Sequence, residues 1–101
     1  MKCLLLHDIQ NDFFQFGSMN VPKEPDYMNK INQLIRLIGK KFDVLVLSQD
    51  YHTPQHHAFA SNNPGKKLDE KIDLHNHRQF LWPDHCVQNT PGAGFHPALD
   101  V

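Results

Sequence analysis

Cys3-Leu4-Leu5-Leu6 runs into His7-Asp8, and Val44-Leu45-Val46-Leu47 runs into Ser48-Gln49-Asp50. Each is a short unbroken apolar run that stops at a polar tip carrying a carboxylate. A strand with one wet face would alternate, so the pattern predicts strands buried on both faces. Between them Met28, Ile31, Leu34, Ile35 and Ile38 recur at helical spacing, with Asn29, Lys30, Asn32, Gln33 and Arg36 on the other side. Pro25-Asp26 supplies a start and Gly39 a C-terminal cap, and Lys40 and Lys41 suit the negative end of the helix dipole. Strands joined by a crossover helix lie parallel, and the right-handed crossover brings both carboxyl ends to one edge of the sheet. Asp8 and Asp50, remote in sequence, should therefore face one cleft at the edge where α/β sheets form their sites.

Working outward, residues 51–101 show no sustained periodicity, and Pro54, Pro64-Gly65, Pro83, Pro91-Gly92 and Pro97 interrupt them. A weak helix around Lys67 to Asp73 is the one regular element expected there. Irregular stretches beyond about 12–15 residues are uncommon inside a compact domain. A parallel sheet is covered on both faces, whereas a single helix covers one. The expectation is an α/β chain in which residues 1–101 form an incomplete part of one larger domain.

Composition excludes several classes. With 10 Lys+Arg against 11 Asp+Glu the net charge is -1, which offers no electrostatic footprint for nucleic acid. No apolar run approaches the roughly 20 residues of a membrane helix, and MKCLLLHDIQ has too short a core for a signal peptide, so a cytoplasmic protein with no membrane partner is expected. Cys3 and Cys86 have neither the spacing nor the context of a disulfide framework. Cys3 is expected to be packed within its strand. His85-Cys86 is not read as a base and nucleophile, because neighbours in an extended segment project to opposite sides.

Histidine is the outlier, with 8 residues of which 7 follow residue 50. Asp50-Tyr51-His52 puts a carboxylate and an imidazole on one side of an extended backbone, with His56 and His57 shortly after and His85 further on. One carboxylate with two or three imidazoles suits Zn, Fe or Mn, and two histidines with a carboxylate would also suit a non-haem iron oxygenase. The plain alternative is a polar loop with solvated histidines. His75, His77 and His96 are read as non-ligands, and His7 as pointing away from Asp8.

The ordered motifs Asp8-Ile9-Gln10-Asn11-Asp12-Phe13, Ser48-Gln49-Asp50-Tyr51-His52, His56 with Phe59-Ala60-Ser61, and Leu81-Trp82-Pro83-Asp84-His85-Cys86-Val87-Gln88 resemble the nicotinamidase/pyrazinamidase family of isochorismatase-like hydrolases. Thr90-Pro91-Gly92-Ala93 and Phe95-His96-Pro97 extend the match, which covers the N-terminal half of such an enzyme. The resemblance implies a three-layer α/β/α fold around a parallel, Rossmann-like sheet. It implies hydrolysis of nicotinamide, with pyrazinamide-like analogues as further substrates, to nicotinate and ammonia through a cysteine thioester in NAD salvage. Asp8 matches the acid/base residue. Asp50, His52 and His85 match ligands of one divalent transition metal, with His56 a fourth ligand or a neighbour and His57 its competitor. Phe13 and Trp82 match aromatic walls of the substrate pocket.

The family's catalytic lysine and cysteine have no counterpart in the chain, which alone should be inactive. Phe14-Gln15-Phe16 stands where Cys-x-Gly is usual and should add bulk at the pocket mouth, and Tyr51 stands where Trp is common. Expected partners are nicotinamide and either further copies of the chain or a complementing C-terminal chain. A non-catalytic metal-binding or interaction module completed by a partner is the competing reading.

Overall fold

A computed structural model describes residues 1–101. Its first half is the strand-helix-strand unit: β1 (Cys3–His7), α1 (Tyr27–Ile38) and β2 (Val44–Ser48). β1 and β2 pair in parallel, in step from Cys3 opposite Val44 to His7 opposite Ser48. The Asp8 N–H continues the ladder to the Ser48 carbonyl at 3.1 Å, so both strands end level. Helix α1 begins after Asp26, which takes a left-handed φ of 62°. Gly39 differs from expectation. Its φ of -54° is right-handed, and the chain tightens into a 3-10 turn, Gly39–Lys41, instead of reversing through a left-handed cap.

The expected burial of the strands does not hold. Leu6 is the one buried residue of β1; β2 and α1 contain none, and Leu5, Val44, Leu45, Val46 and Leu37 are exposed. Cys3, expected to be packed, is exposed as well. An apolar strand is buried only by what lies against it, and here the sheet has two strands and one loosely laid helix. The radius of gyration, 16.3 Å, exceeds the roughly 13 Å of a compact chain of this length.

The core sits elsewhere, where the end of β1 meets the second half. Leu6, Ile9, Ala58, Phe59, Leu81, Cys86 and Ala93 are buried there, together with Gln10 and His85. Single backbone bridges hold this irregular segment together: Gln10 with Phe95, His52 with Val87 and Phe59 with Trp82.

Lys67 to Asp73 is not a helix. An antiparallel hairpin, β3 (Lys71–Leu74) and β4 (His77–Phe80), occupies this part of the chain. Its two-residue turn, His75-Asn76, has φ of 49° and 68°, positive at both positions as tight hairpins require. Ile72 and Leu74 alternate with Lys71 and Asp73, a strand pattern too short to stand out.

Candidate metal centre

Gln10 sets Asp50. Its side chain is fully buried; Nε2 donates to the carbonyls of Asp50 and Ala93, each at 2.8 Å, and Oε1 accepts from the Asp50 N–H at 2.8 Å. The amide thus replaces a neighbouring strand just where the β1–β2 ladder stops. His52 is fixed by its own backbone, whose N–H donates to the Cys86 carbonyl at 2.9 Å and whose carbonyl accepts from Gln88 at 2.8 Å. His85 is 4% exposed, and its Nδ1 lies 2.8 Å from the Pro83 carbonyl.

These supports make three donors converge. Asp50 Oδ2 lies 3.5 Å from His52 Nε2 and 3.9 Å from His85 Nε2, and the ligand atoms of the three residues fall within 4.8 Å of one another. The donor set fits a divalent ion. Since Nδ1–H of His85 donates to a carbonyl, the neutral ring keeps its lone pair on Nε2, the atom that faces Asp50. One carboxylate with two imidazoles suits Zn, Fe or Mn.

His56 stands beside this cluster, its ring 4.7 Å from that of His52. Burial, then the neighbouring His52, His57 and His85, push its pKa below the usual histidine value. Nδ1 accepts the Ala58 N–H at 3.1 Å, so the neutral ring carries its hydrogen on Nε2 and presents a donor. His57 is exposed and lies outside the cavity.

A cavity of about 210 Å³ opens over the cluster. Trp82 lines it and stacks on His85, with ring centroids 5.7 Å apart and planes 24° apart. Phe13 tilts against His85 at 5.8 Å and is not among the residues that line this cavity. Phe59, edge-on to His52 at 5.6 Å, and Gln79 of β4 do. Sequence reading gave neither a role, although Phe59 lay within a motif; Gln79 required the hairpin. The Phe14-Gln15-Phe16 segment stays out of this cavity too, with Phe14 tilted against His96, ring centroids 4.5 Å apart, and Phe16 in solvent. His75, His77 and His96 lie outside the metal cluster.

Asp8 lies beyond the end of β1 with φ of 59°. That left-handed residue breaks the alternation of an extended strand, so His7 does not point away from it. His7 Nε2 is 3.0 Å from Asp8 Oδ2, while His7 Nδ1 is 2.5 Å from the Ser48 hydroxyl. Asp8 Oδ1 is buried with no partner. Burial, followed by the Asp50 charge, raises the Asp8 pKa against the opposing pull of His7. A carboxyl of this kind is suited to exchanging a proton. Cys86 is not suited to attack: burial, aided by Asp12, Asp50 and Asp8, pushes its thiol up to about 12.

No protein-family model matches the chain. It is 43% identical over 98 residues to the nicotinamidase of Acinetobacter baylyi, covering 97% of the chain and 44% of the relative. The structure of the yeast nicotinamidase superposes with a TM-score of 0.88 at 32% identity, over 97% of the chain and 50% of that protein. The pyrazinamidase of Pyrococcus horikoshii in complex with zinc gives a TM-score of 0.68 at 32% identity, over 92% of the chain and 43% of that protein. The chain thus spans about half the length of the proteins it matches. In sequence and backbone alike the chain is similar to the N-terminal part of nicotinamidases and pyrazinamidases.

Proposed function

We propose that the chain is the metal-binding and proton-accepting part of an amidohydrolase that converts nicotinamide to nicotinate and ammonia. The observation that carries this reading is the convergence of Asp50, His52 and His85 beside Asp8, past two strands that end level. Residues 1–101 would form the N-terminal part of a single three-layer α/β/α domain, in a cytoplasmic enzyme of NAD salvage.

Asp50, His52 and His85 would hold one divalent ion, Zn, Fe or Mn, with His56 donating a hydrogen bond beside it. A bound ion would supply Lewis-acid polarisation and an anchor for the ring nitrogen of the substrate. Trp82 and Phe59 offer aromatic faces to a flat heteroaromatic ring. Asp8 would take the nucleophile's proton on Oδ1, the oxygen left free while His7 holds Oδ2, and return it to the departing ammonia.

The attacking thiol and its lysine belong, by the resemblance, to the half of the relatives that these residues do not span. Neither cysteine here replaces that thiol: Cys86 is sealed in the core, and Cys3 stands at the start of β1, away from the edge that carries Asp8. Loss of a nucleophile costs several powers of ten in rate. Ammonia release from nicotinamide by the purified chain is therefore expected to stay at background. Turnover that disappears in Asp8→Ala would overturn the assignment of the nucleophile.

The exposed apolar strands support a second reading, an interaction module completed by another copy or by a complementing chain. Size-exclusion chromatography separates the two: a folded, defined complex favours the module, and a folded monomer favours a piece of the hydrolase.

A further inference from the structure

We infer that Asp12 is a positioning residue of the metal centre, acting through the Cys86 peptide to place both His52 and His85. The inference rests on the reading of Asp50, His52 and His85 as metal ligands. Asp12 lies in the 3-10 turn Asn11–Phe13 that follows Gln10, and it is not a member of the ligand cluster. Its Oδ2 accepts the Cys86 N–H at 2.8 Å, and its Oδ1 accepts the Ser18 N–H at 3.4 Å.

The Cys86 peptide matters because the two histidines depend on it from opposite ends. His85 precedes it directly in the chain, and the Cys86 carbonyl accepts the His52 N–H. Cys86 itself has φ of 47°, a left-handed conformation that a residue with a β-carbon adopts only when its surroundings hold it there. The Asp12 carboxylate is the acceptor that holds this turn, and without it a buried N–H loses its partner. Gly92 shows how closely the carboxylate is seated: a β-carbon there would overlap all three atoms of the Asp12 carboxylate group. Asn11 fastens the same turn to the same segment, through its N–H on the Gly94 carbonyl at 2.9 Å and its side chain on the Pro91 carbonyl at 2.8 Å. Sequence position alone gives no sign of this role, since Asp12 and Cys86 are distant and neither touches the cavity.

The test is titration of the 101-residue chain with zinc chloride by calorimetry and with cobalt(II) by visible absorption, with circular dichroism as the check on folding. Asp12→Ala is expected to weaken zinc binding by roughly 10–100-fold, the usual effect of removing an outer support of a ligand, and to alter the cobalt bands. Asp12→Asn keeps an acceptor oxygen and is expected to recover most of the affinity, which a role of charge alone would not allow. Gly92→Ala displaces the carboxylate without removing it and should reproduce the loss, which decides the matter should Asp12→Ala fail to fold. Wild-type affinity and cobalt bands in a folded Asp12→Ala or Gly92→Ala chain would overturn the inference while leaving the metal centre standing. Failure of the unaltered chain to bind either ion would overturn both.

Discussion

The two halves of the chain divide order and burial in opposite ways. Residues 1–50 hold the regular unit β1–α1–β2, yet only Leu6, Ile9 and Gln10 among these fifty residues are buried. Residues 51–101 hold a short hairpin and otherwise irregular backbone, yet they supply the other six buried residues, among them Phe59, His85 and Cys86. Regular hydrogen bonding fixes the direction of the strand ends. Irregular backbone, pinned by Gln10, Asp12 and single bridges, brings His52 and His85 to those ends. Secondary structure is therefore a poor guide to where this chain is built most closely.

Substitutions can break that contrast. The largest effect is expected for the proposed ligands: His85→Ala should weaken zinc binding, read by calorimetry, by more than the roughly 10–100-fold typical of an outer support. Unchanged affinity would remove the irregular half from the site. Phe59→Ala, at 1% exposure, should destabilise the chain by about 3 kcal/mol in urea denaturation, whereas Leu37→Ala in exposed α1 should stay within about 0.5 kcal/mol. Equal effects would mean that the regular unit carries burial after all. Gln10→Ala leaves the Asp50 N–H and carbonyl without their partner, and the Ala93 carbonyl with the Gln49 amide alone, and should cost about 1–3 kcal/mol by the same measurement.

Smaller effects come with pH. The Asp8 pKa is raised, so the folded chain binds its proton more readily than the unfolded chain does, and stability is lost as pH rises through the folded pKa. Asp8→Asn should then melt higher than the unaltered chain at neutral pH, with the gain vanishing below the ordinary value of 3.8. His56 has the opposite sense. Its lowered pKa means that stability present above the usual histidine value is lost as pH falls through the folded one, and His56→Phe should flatten that acid limb in a thermal-melt series. His7→Ala removes the one neighbour that lowers Asp8, so the Asp8 carboxyl carbon should titrate at higher pH by NMR.

What the sequence made legible follows from periodicity and topology. The unbroken apolar runs gave the two strands, helical spacing gave α1, and the parallel crossover put Asp8 and Asp50 at one edge. Asp50, His52 and His85 were found from motif order, and they do come together. Burial differs from expectation because an apolar run states what a strand is made to be covered by, and these residues bury none of β2 and leave Val44, Leu45 and Val46 exposed. The hairpin was missed because four-residue strands fall below the length at which alternation separates from chance. His7 was misplaced because strand alternation fails at the left-handed Asp8, a backbone state that no side-chain pattern announces. Gln10 and Asp12 escaped notice as supports because each acts on a peptide group far away in the chain.

The unequal setting of the two sulfurs has a practical outcome. Cys3 is open to solvent and Cys86 is sealed, its thiol held in the neutral form. A maleimide offered to the native chain should stop at one equivalent, leaving a single labelled point on β1. Slow uptake of a second equivalent would then time how often the turn after His85 comes open, with the protein serving as its own stopwatch.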